Sequence, residues 1–269
     1  MTRSIPNTPD RVTVARAHRA DIRAGRHDTV TTGMAPGVVQ ANICIVPADW
    51  AAEFLRFCQV NPKPCPVIAM TEPGDPRFPM LGDDIDIRSD VPRYRVFRDG
   101  VEAAEETDIK HLWRDDLVAF AMGCSYSFEE ALQDAGLRVR HLDNGTKATV
   151  YVTDIPCTAA GRFRGPMVVS MRPFTPKDAI RAVQVTSRFP NVHGAPVHFG
   201  DPAQIGITDF DRPYSGPKPD IRPGEVPVFW ACGVTPQLVV EHARPPLCIT
   251  HKPGHMLLTD RLNAEFSVL

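Results

Sequence analysis

Two short segments combine a glycine with a thiol and a hydroxyl: Gly123-Cys124-Ser125 and Cys232-Gly233-Val234-Thr235. Each follows an apolar run and precedes a helical pattern, so each falls where a strand gives way to a helix. There the first backbone N–H groups lack intrahelical partners, and the helix dipole favours an anion. One reading puts a substrate carboxylate at one turn and the reacting centre at the other. Cys124 and Cys232 are then reactive thiols, and Ser125, Gly233 and Thr235 binding groups. The other reading is two helix starts with inert cysteines, because a free cysteine commonly behaves as a small core hydrophobe.

Three histidines join the cysteines as catalytic candidates. His198 closes a short apolar run, and His251 and His255 bracket Pro253-Gly254. Histidine exchanges protons near neutral pH, and loss of water requires protonating a poor leaving oxygen. Each is weighed against a hydrogen-bonded structural role. An acidic substrate also needs a fixed cation, and a guanidinium fork suits a carboxylate. Arg172 is better placed for this than Arg93. His193 and Glu72 complete the binding candidates, although Glu72-Pro-Gly-Asp-Pro76 also reads as a plain turn. Asp75 and Asp201, each before a proline, are read as turn residues. A metal set from His193, His198 and Asp201 matches no established spacing, so no metal is expected. No cofactor is expected either: there is no G-x-G-x-x-G after a strand and no P-loop.

The elements that must carry these residues form an internal repeat. Asn42 to Pro47 is an apolar run that reads as a buried strand, followed by a helix with Trp50, Phe54 and Cys58 on one face. Pro66 to Met70 is a second strand, ending in Gly74-Asp75-Pro76. The order returns with the strand Met167 to Pro173, a helix opened by Thr175-Pro176 with Asp178 in capping position, and a strand Ala195 to Phe199 before Gly200-Asp201-Pro202. Asp86-Ile87-Arg88 is echoed by Asp220-Ile221-Arg222. The strands Leu117 to Met122 and Val228 to Ala231 run into the two turns above, and each following helix leads to a strand ending in a histidine, His141 or His251.

The spacing predicts a mixed α/β chain, a pseudo-duplicated three-layer α/β/α domain. Its two related halves are drawn from residues 1–90, 113–141 and 166–269. Residues 91–112 and 142–165 fall outside the repeat and alternate in character. They are assigned to a small inserted antiparallel α+β subdomain, with edge strands of the main sheet as the alternative. The Pro- and Gly-rich stretch Arg212 to Gly224 is a candidate lid. On this reading the chemistry lies mainly on the second half.

Composition narrows the partners. A formal net charge of -2 gives no basic surplus for nucleic acid. The one local cluster, Arg11, Arg16, Arg19, Arg23 and Arg26, has Asp10, Asp21 and Asp28 interspersed and reads as a solvated or domain-clasping helix rather than a nucleic-acid arm. No run of about 18 apolar residues would span a membrane, and Pro6, Pro9 and Asp10 stand where a signal peptide needs an apolar core. The seven cysteines include no C-x-x-C pair, which fits a reducing, cytoplasmic setting. A small anionic substrate is the expected partner, and homo-oligomerisation is left open.

Several blocks together resemble the hydro-lyase family grouped with D-glutamate cyclase. They include Gly37 to Asn42, Asn61-Pro-Lys-Pro-Cys-Pro66, Thr71 to Pro76, Val91-Pro-Arg-Tyr-Arg95 and Gly123-Cys-Ser125. Further on they include Ser170-Met-Arg-Pro173, Ser187 to Pro190, His193 to His198, Pro227 to Pro236 and Thr250 to His255. The resemblance implies loss of water from a small carboxylic or amino acid, in its sharpest form D-glutamate to 5-oxo-D-proline plus water. It brings no catalytic residues with it. Two alternatives stand beside it. One is an isomerase moving an α-proton between Cys124 and Cys232, and the other is a non-catalytic binder of a small anion.

Overall fold

The computed structural model describes residues 10–268. Pro6 and Pro9, read above against a signal peptide, lie outside the described residues. The fold is mixed helix and sheet, and every strand pairing in it is antiparallel.

The first sheet is built on β1 (Val38–Pro47), an apolar run buried along its whole length because it has neighbours on both edges and cover on both faces. α2 (Ala48–Val60) follows, and then β2 (Val67–Met70). β2 does not pair with β1: β5 (Leu117–Met122) lies between them, antiparallel to each. The unit is thus a split β-α-β, in which β1 and β2 run the same way with a third strand inserted. The second sheet repeats the plan with β7 (Pro166–Phe174), α5 (Pro176–Thr186) and β8 (His198–Phe199), and β9 (Val226–Ala231) lies between its two outer strands. The order β2-β5-β1 is matched by β8-β9-β7. Thr175 caps α5 by accepting the Asp178 N–H at 3.2 Å.

The two sheets also exchange strands. α3 (Tyr126–Asp134) leaves β5, and the chain then reaches β6 (Thr149–Pro156), which pairs with β7 of the second sheet. α6 (Thr235–Ala243) leaves β9 and leads to β10 (Cys248–His251), which pairs with β1 of the first. β11 (Leu257–Leu262) continues along the same edge of β1. Both glycine–cysteine turns therefore sit where the chain crosses from one sheet to the other.

Alternation along the strands sorts the core. Cys44, Val46, Val118 and Phe120 face α2, with Phe54 and Phe57 between them. Ile43, Ile45, Ala119 and Ala121 face the segment from Phe78 to Val91. In the second sheet, Val228 and Trp230 pack under α3 and α5, while Val169, Met171 and Phe229 meet Ile205, Ile207 and Ile221 on the other face. Ile87 and Ile221, from the echoed Asp-Ile-Arg segments, each help cover one sheet.

Three sequence expectations change. The segments outside the repeat do not pair with each other. β3 (Tyr94–Arg98) and β4 (Val101–Glu106) form a hairpin that extends the first sheet beyond β10, and β6 edges the second. The run ending in His141 is no strand: Leu137 and Val139 are drawn into the core under α3, and Arg140–Asp143 closes a short helix, α4. The stretch from Arg212 to Gly224 is tied down, with the Tyr214 N–H donating to Val150 O at 2.8 Å and Ile221 packed on the sheet. Of the two readings of the arginine cluster, solvated face or clasp, the ion pairs favour the clasp. α1 (Arg11–Arg23) carries Arg16 and Arg19 to Asp260, and Arg23 to Asp90. No helix among the described residues is long and apolar enough to cross a membrane.

Candidate active site

The crossing turns line one narrow cleft, together with the residues just before β6 and the loop between β10 and β11. Its walls hold Asn42, Cys124, Ser125, Lys147, Cys232 and His251, and further round Tyr126, Ser170, Ser215 and Gly254. Among the described residues no carboxylate lines it. Asn42, 2% exposed, spans the two turns: its Nδ2 donates to Gly123 O at 2.7 Å, and a Cβ on Gly233 would lie 2.1 Å from the same nitrogen. Gly233 is thus required by close packing, a role distinct from a free binding N–H. Gly123 is held equally tightly, since a Cβ there would lie 2.3 Å from Asn191 O.

Behind the cleft lies a buried ionic cluster. Arg172 is 1% exposed, and its guanidinium holds Glu129 through Nε at 2.9 Å and through Nη2. His141 Nε2 lies 3.1 Å from the same carboxylate oxygen. Burial by itself would raise the Glu129 carboxyl, but His141 and Arg172 outweigh it and hold the group below its ordinary range. Arg172 is therefore engaged internally, which corrects its expected role as a direct carboxylate clamp. Its remaining N–H groups donate to Ser125 Oγ and Ser170 Oγ, each at 3.0 Å. A serine oxygen that accepts from a guanidinium turns its own proton elsewhere, here with no protein acceptor among the described residues. Two polarised hydroxyl donors thus line the cleft.

His251 supplies a third. It is 1% exposed, and its Nδ1 meets the Ile43 N–H at 3.0 Å and Gln237 Nε2 at 3.5 Å. Ile43 O lies further off, at 3.3 Å, than the Ile43 N–H. Two N–H groups against one carbonyl, with the shortest approach from an N–H, make Nδ1 the acceptor and leave the proton on Nε2. That Nε2 is buried and without a partner. Burial lowers the imidazole to about 4, so it stays neutral and keeps its N–H at physiological pH.

The cysteines are in place but protonated. Burial pushes Cys124 up to about 12 and Cys232 to about 11. Each sulfur accepts the backbone N–H two residues on, from Tyr126 and from Val234, and so helps to start its helix.

The other candidates lie elsewhere. The Thr235 hydroxyl donates to Cys232 O at 2.8 Å and accepts the Val168 N–H at 3.0 Å, which clips β7 to the turn and leaves nothing for substrate. His193 lines a separate, larger groove with Lys63 and Asn191. Its Nδ1 donates to Lys63 O at 2.8 Å, so its buried, unpartnered Nε2 is a bare acceptor, the opposite tautomer to His251. His198 lies on β8 against Phe229 and donates to Asp201 O at 2.8 Å. His255 stands beside the cleft loop with Nδ1 3.3 Å from Pro253 O. Arg93 pairs with Asp28. Glu72 is exposed in its turn. Asp75 and Asp201 each accept the N–H two residues on, from Arg77 and Ala203, as turn residues do. Among the described residues no three His, Cys, Asp or Glu side chains converge as metal ligands.

Asn42, Tyr126, Lys147, Ser170 and Ser215 were not singled out from the sequence. Ser170 had a signal: it lies two residues before Arg172 on one strand, hence on the same face. Lys147 and Ser215 had none, because they reach the cleft from the β6 edge and from a loop.

The D-glutamate cyclase family matches this chain over residues 118–260. "Putative hydro-lyase Bpet2233" of Bordetella petrii is 64% identical over 98% of this chain and 99% of its own. A "Putative hydro-lyase" of Verminephrobacter eiseniae is 59% identical over 93% and 91%. A relative of Aliivibrio salmonicida, "Putative hydro-lyase VSAL_I1435", is 56% identical over 93% and 96%. The chain belongs to the D-glutamate cyclase family.

Proposed function

We propose that this chain is a hydro-lyase that removes water from a small carboxylic or amino acid, and that D-glutamate, closing to 5-oxo-D-proline, is its substrate. The observation that carries the reading is the set of neutral donors in a cleft that no carboxylate lines among the described residues: His251 Nε2–H and the Ser125 and Ser170 hydroxyls backed by Arg172. In ring closure the amine nitrogen attacks the γ-carboxyl carbon, a C–N bond forms and a C–O bond breaks. The ammonium gives up two protons in all, and both leave in the water. The barrier lies in gathering negative charge on the tetrahedral oxygens. Preorganised donors in a dry site stabilise that charge without reorganisation, and one such donor is worth about 10²–10³ in rate.

The isomerase reading has one observation in its favour, that both thiols line the same cleft. It needs a thiolate to take the α-proton, and burial holds both groups as thiols. Incubating the purified protein with D-glutamate and following 5-oxoproline tests the proposal. Product should accumulate. Its absence, with α-proton exchange into D₂O instead, would replace the lyase reading with the isomerase one.

A further inference from the structure

The cleft's donors are neutral, yet an acid substrate brings a fixed negative charge. The cations around the site are mostly engaged. Arg172 is tied to Glu129, Arg93 to Asp28 and Lys252 to Glu105. Lys147 differs. It lines the cleft directly, is half-buried, and has no carboxylate within ion-pair distance among the described residues. Its Nζ donates to Ser215 Oγ at 2.9 Å, which uses one of three donors and fixes the ammonium on the inner side of the Arg212–Gly224 stretch. A partly desolvated ammonium is unfavourable by itself, and both burial and Lys252 lower its proton affinity. An incoming carboxylate would remove that cost.

We infer that Lys147 is the carboxylate anchor of the cleft, and that it sets the preference for acids over their amides. The inference rests on the proposed site but not on the identity of the substrate. Ser215 is a positioning residue for the ammonium, linking carboxylate binding to the loop that carries it.

The test is ligand-induced thermal stabilisation of the full chain by 5-oxo-D-proline, by its uncharged amide, and by acetate, malate and succinate. It is run on wild type, Lys147→Met and Lys147→Arg. Wild type should respond to at least one carboxylate and not to the amide. Lys147→Met should weaken that response by about tenfold or more in apparent Kd, the scale of one charge-assisted hydrogen bond, with partial recovery in Lys147→Arg. Stabilisation by other acids but not by 5-oxo-D-proline, lost in Lys147→Met, would keep the anchor and leave D-glutamate to the separate assay of 5-oxoproline formation. Equal stabilisation of wild type and Lys147→Met by a carboxylate would overturn the inference, and so would a wild type that responds to no carboxylate. The melting temperatures without ligand show that each variant is folded.

Discussion

The two crossing turns occupy matching places in matched sheets, yet they do different work. At Gly123-Cys124-Ser125 the serine joins Arg172, Glu129 and His141 in a buried polar cluster that arms the cleft. At Cys232-Gly233-Val234 a glycine stands where the first turn has its serine, and the nearest hydroxyl, Thr235, is engaged by backbone on both sides and only fastens strand to helix. The repeat thus fixes where a site can form, and it says little about which copy carries the chemistry. Nor does the cleft belong to the second half: Asn42, Cys124 and Ser125 come from the first, and Ser170, Cys232 and His251 from the second.

The sharpest break in this comparison should come from the ionic cluster. Glu129→Gln strands a buried guanidinium and should cost about 3–5 kcal/mol of stability, seen as a lowered urea midpoint. A cost below about 1 kcal/mol would mean that the cluster is open to water.

Acid should act next. His193 and His251 are lowered to about 4 from the ordinary 6.5, so in the unfolded chain they bind protons that the folded chain refuses. Stability is unaffected above about pH 6.5, falls as pH drops from there towards 4, and levels off below. At about 1.36 kcal/mol per pKa unit, each histidine accounts for roughly 3 kcal/mol of that loss. Urea midpoints between pH 7 and 4.5 should show the slope, and His193→Gln should remove about half of it.

Smaller, but more telling, is the pair Ser125→Ala and Thr235→Val. Removing Thr235's hydroxyl should cost about 1–2 kcal/mol with turnover unchanged, because it leaves Val168 N–H without its acceptor. Ser125→Ala also strands a buried guanidinium N–H and should cost about 1.5–3 kcal/mol, but unlike Thr235→Val it should lower kcat by at least about tenfold with KM little changed. Equal kinetic effects at the two turns would erase the distinction drawn between them.

The frame was legible in the sequence because it rests on short-range patterns. The apolar run at Asn42–Pro47 lies within β1, which begins earlier at Val38, Leu117–Met122 is β5, and Thr175-Pro176 starts a helix as its capping signals require. Pairing was not legible. A strand–helix–strand order reads the same whether the strands adjoin or admit a third between them, as β5 is admitted between β1 and β2. The site was legible in part: Cys124, Ser125, Cys232 and His251 are brought together, while Arg172 lies one layer behind. Glu129 was hidden in a helix pattern, and no spacing could show that a carboxylate would claim the arginine. Histidines 193, 198 and 251 look alike in sequence. Only the groups around each ring decide which is a donor, which a bare acceptor, and which a turn fastener.

The central claim is that a neutral His251, with its proton fixed on Nε2, supplies a donor to the reacting oxygen. The rate of 5-oxoproline formation from D-glutamate by His251→Phe, set against wild type at pH 7, tests it most directly. The ring keeps the packing of β10 and loses the donor; it also loses the Nδ1 acceptor of the Ile43 N–H, at a cost of about 1–3 kcal/mol in stability. The expected result is a fall of about 10²–10³ in kcat with the protein still folded. A folded His251→Phe enzyme that turns over at the wild-type rate would contradict it.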